Sequence, residues 1–145
     1  MSIAVAIRDL SHAYRAGGPL VLRGVSVEVP AGSLTTVLGP SGGGKSTLLA
    51  LLAGVEAPTS GDILFDGQSV VAMSAQDRGV ALVLQQPYLF PYLTVGENVA
   101  FGLAARGVSR RTRSAEADRW LTRVGLDSMA DRRPRELSGG EQQRV

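Results

Sequence analysis

Nine consecutive residues, Gly39-Pro40-Ser41-Gly42-Gly43-Gly44-Lys45-Ser46-Thr47, constrain this chain more than any others. They fit the pattern G-x-x-x-x-G-K-[ST] and lie between a β-rich run, Leu34-Thr35-Thr36-Val37-Leu38, and a run of helix formers from Lys45 to Ala53 that closes at Gly54. Strand, glycine loop and helix in that order make an anion cradle. Bare glycines let backbone N–H groups turn inward around phosphate oxygens with no Cβ in the way. The start of the following helix adds partial positive charge at the same point. Lys45 is placed to offer a mobile cation to the β- and γ-phosphates, the Ser46 hydroxyl to ligate Mg²⁺, and Thr47 to reach a phosphate nearer the ribose. Lys45 is also the only lysine in the chain. A lysine confined to that position points to chemistry rather than to general solubility. The loop predicts a nucleoside triphosphate and leaves the type of enzyme open.

The 145 residues suffice for one compact domain, and 44% hydrophobic with 19% charged residues is an ordinary globular composition. No apolar run approaches the ~20 residues that a bilayer crossing needs. Met1-Ser2-Ile3-Ala4-Val5 carries no basic stretch ahead of an apolar one, so no signal peptide is expected. The absence of cysteine excludes disulfides and Cys-ligated metal sites. Together these features predict a soluble protein facing the cytoplasm. The net charge of +2 raises the question of nucleic acid, but the arginine clusters at Arg110-Arg111-Arg113 and Arg132-Arg133-Arg135 stand among acids and helical residues. They read as solvated surface, and no nucleic-acid partner is expected.

Along the chain, Ile3, Val5 and Ile7 alternate with small or polar residues, as a half-buried strand does, and Val25, Val27 and Val29 repeat the pattern within 21–29. Ile63-Leu64-Phe65 followed by Asp66-Gly67 predicts a hairpin edge and turn. Val80-Ala81-Leu82-Val83-Leu84 is almost wholly apolar, the mark of a parallel strand covered on both faces. Beyond Gln85 the character changes. Pro87 and Pro91 frame a loop bearing Tyr88, Phe90 and Tyr92, and Thr94 with Glu97 predicts a capping box opening a helix to about Arg106. A second helix is expected over 111–124, closing at Gly125. The reading divides the chain into an ATP-binding core with a β subdomain (1–86), a helical subdomain (87–136) and a last segment (137–145).

That last segment is Leu137-Ser138-Gly139-Gly140-Glu141-Gln142-Gln143-Arg144-Val145. Ser138 and Glu141 form another capping box, and two glycines bare the amides of a second helix start. Taken alone it would be a well-capped helix. The peptide resembles the signature of ABC-type ATPases, and its place about a hundred residues after the phosphate loop fits the same family. The resemblance spans essentially the whole chain. It implies an α/β P-loop nucleotide triphosphate hydrolase core with an N-terminal antiparallel β subdomain and a helical subdomain, here incomplete. Tyr14, before the second strand, matches the aromatic that stacks on adenine. Gln85, rather than Gln86, matches the glutamine that senses Mg²⁺ and the γ-phosphate. Arg78-Gly79-Val80 and the stretch Leu89-Phe90-Pro91-Tyr92-Leu93-Thr94-Val95-Gly96-Glu97-Asn98-Val99 are similar to importer subunits serving polyamines, iron, sulfate or sugars.

The family resemblance implies ATP and Mg²⁺ as ligands and a second ATP-binding subunit in a head-to-tail dimer. Ser138, Gly139 and Gly140 would then face the partner's nucleotide, as two-fold reciprocity requires. It also implies membrane permease subunits, received by the groove beside the aromatic loop, and a peripheral place on the cytoplasmic face of the membrane. The family's acidic strand end and γ-phosphate histidine have no counterpart here: no four-residue apolar run ends in adjacent Asp-Glu, and the only histidine, His12, precedes the phosphate loop and is expected at the surface. The chain is therefore expected to be a fragment that binds nucleotide weakly and does not turn it over. An ABC ATPase acting on ribosomes or DNA is the alternative. An unrelated phosphate-loop kinase or GTPase conflicts with the signature peptide.

Overall fold

Alternation of apolar residues produces the sheet, and one extra residue sets which of them point inward. The computed structural model describes residues 2–86 and 88–145 and divides into two compact units, Met1–Leu82 and Val83–Val145. In the first unit, β1 (Val5–His12) is paired on both sides: antiparallel to β2 (Leu22–Val29) and antiparallel to β3 (Ser60–Phe65), which also carries the short β4 (Gln68–Ser69). The order is β2-β1-β3-β4. Ile7 stands opposite Val27 on one side and Ile63 on the other. Between Ile7 and Leu10 the register slips at Asp9, whose φ is 47°. Such a bulge inserts one residue and turns the following side chains to the other face.

The slip decides the core. Before it Ile7 points inward, and after it Leu10 and His12 do. His12, expected at the surface, is only 4% exposed for this reason. Simple alternation from Val5 and Ile7 would have placed it outside. Helix α1 (Lys45–Ala53) lays Leu48 and Leu51 against Ile7, Leu10, Leu22, Ile63 and Val70. Each such buried aliphatic side chain contributes about 1.5–3 kcal/mol. This packing fixes the helix that the glycine-rich loop opens. The β3–β4 turn is Asp66-Gly67, with φ of 47° and 81°, as a two-residue hairpin of right-handed twist requires.

Two expected strands are absent from the ladder. The run 34–38 and the run 80–84 form no regular structure and pair with nothing among the described residues. Leu34 is 98% exposed and Val83 90%. A β-rich sequence becomes a strand only when a neighbour takes up its N–H and C=O groups, and no described segment does so for these two.

The second unit is helical. It contains α2 (Val95–Val99), α3 (Phe101–Ala105), α4 (Arg110–Arg123), a 3₁₀ turn (Pro134–Glu136) and α5 (Gly139–Arg144). The helix expected from Thr94 to about Arg106 is divided at Ala100, where the backbone relaxes to ψ −6°. The Thr94–Glu97 capping box forms as read, Thr94 N–H donating to Glu97 Oε2 at 2.8 Å. Val95, Leu121, Leu126 and Leu137 make the small core, with Val99, Val124 and Met129 packed against it. Asn98 holds the aromatic loop: its Oδ1 accepts from Phe90 N–H (2.8 Å) and its Nδ2 donates to Thr94 O (2.9 Å). Tyr88 and Tyr92 are exposed beside it, and Pro87, expected to frame this loop, lies outside the described residues.

Gly61 is the position in the sheet least able to change. Its φ is 90°, and a Cβ there would lie 2.4 Å from the Asp9 carbonyl oxygen. Gly67 has a similar φ of 81° but open space around it. Gly67→Ala is expected to cost about 1 kcal/mol from backbone strain alone, and Gly61→Ala at least about 3 kcal/mol because overlap is added. Urea unfolding of the two variants checks the ordering.

Candidate functional site

The loop between residue 39 and α1 is shaped by glycines that nothing else could replace at equal cost. Gly42 and Gly44 have φ of 79° and 81°. Gly44 is also the N-cap of α1, and a Cβ on it would meet Leu22 Cδ2 at 2.7 Å. The turn is closed by Gly43 N–H donating to Pro40 O at 3.1 Å. The N–H groups of Lys45, Ser46 and Thr47 have no backbone acceptor, as expected of a helix's first turn, and Gly44 supplies no side-chain cap. Three donors and the positive end of the helix dipole therefore converge on one place.

Lys45 adds a full charge there. Its ammonium donates to Gly39 O (2.9 Å) and Pro40 O (2.7 Å), so it lies folded along the loop that it opens. The surrounding cavity, about 300 Å³, is lined by Tyr14, Val21 and residues 42–47. Ser46 is exposed on the first turn, while Thr47 is buried and shares a hydrogen bond of 2.7 Å between its Oγ1 and the Tyr14 hydroxyl. The Tyr14 ring is otherwise largely exposed. Ser41 is exposed in the loop. The structure thus brings Tyr14 and Gly42 to Thr47 around one cavity, with Gly39 and Pro40 holding Lys45 beside it.

His12 is the neighbour of this site that sequence reasoning misplaced. Its ring stands edge-on to Tyr14, centroids 5.0 Å apart and planes at 87°, and its Nδ1 bonds Ala57 O at 3.0 Å. Nε2 is buried without a partner among the described residues. Its burial follows from the bulge that turns the strand's phase, and nothing in the alternation of residues 3–7 announces that bulge.

Gln85, Ser138, Gly139 and Gly140 belong to the second unit. Gln85 is exposed at a bend. Ser138 is the N-cap of α5: Glu141 Oε2 accepts both its N–H and its hydroxyl at 2.7 Å, and Glu141 N–H donates to Ser138 Oγ at 3.4 Å. Gly139 and Gly140 are exposed, with nothing near the place a Cβ would occupy. Gln142 Nε2 donates to Pro134 O (2.9 Å) and Leu137 O (3.1 Å), which ties this helix start to the preceding turn. Among the described residues no three His, Cys, Asp or Glu side chains gather around a point. A hard cation here would take the Ser46 hydroxyl and phosphate oxygens instead, a donor set that suits Mg²⁺.

A family model described as ABC transporter matches residues 22–145. The chain is 39% identical over 141 residues to an Fe(3+) ions import ATP-binding protein of Pasteurella multocida, and 42% identical over 141 residues to that of Escherichia coli K12. It is 40% identical over 142 residues to an sn-glycerol-3-phosphate import ATP-binding protein of Burkholderia mallei. These alignments cover 97–98% of the chain and 39–40% of the relatives, so the chain spans about two fifths of their length. A solved dimeric ATP-binding cassette, in a post-hydrolysis state bound to ADP and Pi, superposes with a TM-score of 0.85 at 29% identity. The match covers 97% of this chain and 66% of the cassette, and it supports the expected α/β fold class.

The cap of α5 makes a prediction about pH. Hydrogen bonds first from the Ser138 hydroxyl and then from its N–H hold the Glu141 carboxyl below the usual carboxylate range. A depressed native pKa means that this contribution is present above the unfolded-state value and is lost as pH falls through the native one. Acidification is expected to fray α5, and Ser138→Ala to return the Glu141 titration toward its ordinary value. Carboxyl chemical shifts followed through an NMR pH titration check both.

Proposed function

The chain belongs to the ABC transporter family, and from that premise we propose that it is the nucleotide-gripping part of an ATP-driven importer's ATP-binding subunit. One observation carries the reading. Glycines of positive φ leave three helix-start amides without acceptors beside a lysine ammonium, facing a cavity with an aromatic ring on its border.

In this reading the triphosphate tail of ATP occupies the amides of Lys45, Ser46 and Thr47. The Lys45 ammonium leaves the Gly39 and Pro40 carbonyls for the β- and γ-phosphate oxygens, trading neutral acceptors for charged ones. Tyr14, anchored through its hydroxyl to Thr47, offers its open ring face to adenine. Thr47 sits where that hydroxyl pair can reach a phosphate nearer the ribose. Ser46 would hold Mg²⁺ together with phosphate oxygens, and Gln85 is assigned the Mg²⁺-sensing role that the family resemblance implies. Mg²⁺ supplies charge neutralisation at the β- and γ-phosphates when bound.

Ser138, Gly139 and Gly140 are assigned to the nucleotide of a second ATP-binding subunit in a head-to-tail dimer. The dimeric state of the solved cassette supports that arrangement. The exposed aromatic loop held by Asn98 is assigned to membrane permease subunits, as the importer names of the relatives support. No described helix is long and apolar enough to cross a membrane, so attachment at the cytoplasmic face would be through those subunits. The relatives' names print different cargoes, and cargo choice is assigned to other components. Hydrolysis belongs to the complete subunit.

Lys45→Ala removes one charge-assisted contact to phosphate. It is expected to weaken ATP binding about 10- to 100-fold and to leave adenosine binding within about twofold. Titration calorimetry with both ligands checks this; equal ATP affinity in the variant and the parent chain would overturn the phosphate assignment.

A further inference from the structure

At the end of α1 opposite the glycine loop lies a buried cation that does not line the candidate nucleotide cavity. Arg78 is 5% exposed. Its guanidinium donates from Nη1 to Leu51 O (2.7 Å) and Leu52 O (3.2 Å), from Nη2 to Val71 O (3.4 Å) and from Nε to Met73 O (3.3 Å). Every acceptor is a neutral carbonyl. Neighbouring Asp77 takes the Ser74 hydroxyl instead (2.6 Å), and the one ion pair among the described residues is Arg119–Glu116, in the other unit. A charge buried without a counter-ion is uncommon and calls for a local source of negative potential.

The source is α1 itself. Leu51 and Leu52 are in its last turn, whose carbonyls carry the negative pole of the helix dipole. Gly54, the C-cap with φ 77°, makes room: a Cβ there would lie 2.7 Å from Arg78 Nε and 2.9 Å from Cζ. The chain therefore places a cation against one pole of the helix whose opposite pole is the candidate phosphate site. A helix of this length is about 13 Å long, and one of its faces, at Leu48 and Leu51, is packed on the sheet, so the charge is screened less than it would be across open solution.

We propose that Arg78 is a positioning residue for nucleotide binding, cancelling the negative pole of α1 and so raising the affinity of its first turn for polyphosphate. The proposal rests on the nucleotide reading of the loop. It requires an effect that grows with the number of ligand charges and depends on the positive charge of residue 78. A purely structural role requires neither.

The test uses the full chain, as parent, Arg78→Met and Arg78→Lys, titrated with adenosine, AMP, ADP and ATP, with thermal melts recorded in parallel. Arg78→Met is expected to weaken ATP binding by about fivefold or more, ADP and AMP by progressively less, and adenosine not at all. Arg78→Lys, which keeps the charge and loses the fork, is expected to melt lower yet keep the parent's ATP-to-adenosine affinity ratio within about twofold. Equal losses for all four ligands, or unchanged ATP affinity in Arg78→Met, would overturn the proposal. If Arg78→Met does not fold, the Lys variant decides: a ratio fallen by about tenfold overturns it, and a retained ratio upholds it. A parent chain that binds adenosine and ATP alike would sink the nucleotide reading together with this one, whereas a charge-graded parent with an indifferent Arg78 sinks only this one.

Discussion

A helix cannot satisfy its own first amides, and at the candidate site of this protein that deficit is left unanswered. Capping side chains answer it elsewhere in the chain: Thr94 at α2, Ser109 at α4 and Ser138 at α5 each accept from their helix's third residue. At α1 the N-cap is Gly44, which has no side chain to offer. The donors of Lys45, Ser46 and Thr47 stay open, and the remainder of the first unit holds them in place. Leu48 and Leu51 anchor the helix to the sheet, Leu22 fills the space that a larger N-cap would need, and Lys45 folds back on its own loop.

Much of the site was legible because its requirements are local. The spacing from Gly39 to Thr47 dictates the loop whatever surrounds it, and the capping boxes at Thr94 and Ser138 need only two residues three apart. The Asp66-Gly67 turn and the Gly54 helix end were readable for the same reason. What could not be read depends on partners distant in sequence. Leu34 to Leu38 and Val80 to Leu84 have strand composition, but composition supplies no neighbour, and both runs stay outside the ladder of described residues. Likewise, Arg78 was legible only as part of a family-like stretch, and its burial against the carbonyls of Leu51 and Leu52 depends on a contact across more than twenty residues.

The two units solve their packing differently. The first rests on non-local pairing, with β1 joined to β3 in pairs such as Val5–Phe65 and Ser11–Ser60, while the second is built from short helices and turns around Val95, Leu121, Leu126 and Leu137. Side-chain to backbone clamps take over where that core is thin. Asn98 ties Phe90 to the start of α2 and Gln142 ties the start of α5 to the preceding turn, although the segments assigned to protein partners are exposed. Hydrogen bonds of this kind reduce the ordering that docking must supply.

The slip at Asp9 has an evolutionary corollary. Because it sets the parity of every later position in β1, this strand can accept exchanges of one residue for another far more readily than a gain or loss of one. Removing a single residue there would swing Leu10 and His12 to the solvent side, strip the Tyr14 ring of its edge-on support and leave the Gly61 notch without purpose. Descendants of this sequence should therefore drift in composition along β1 while its length stays frozen.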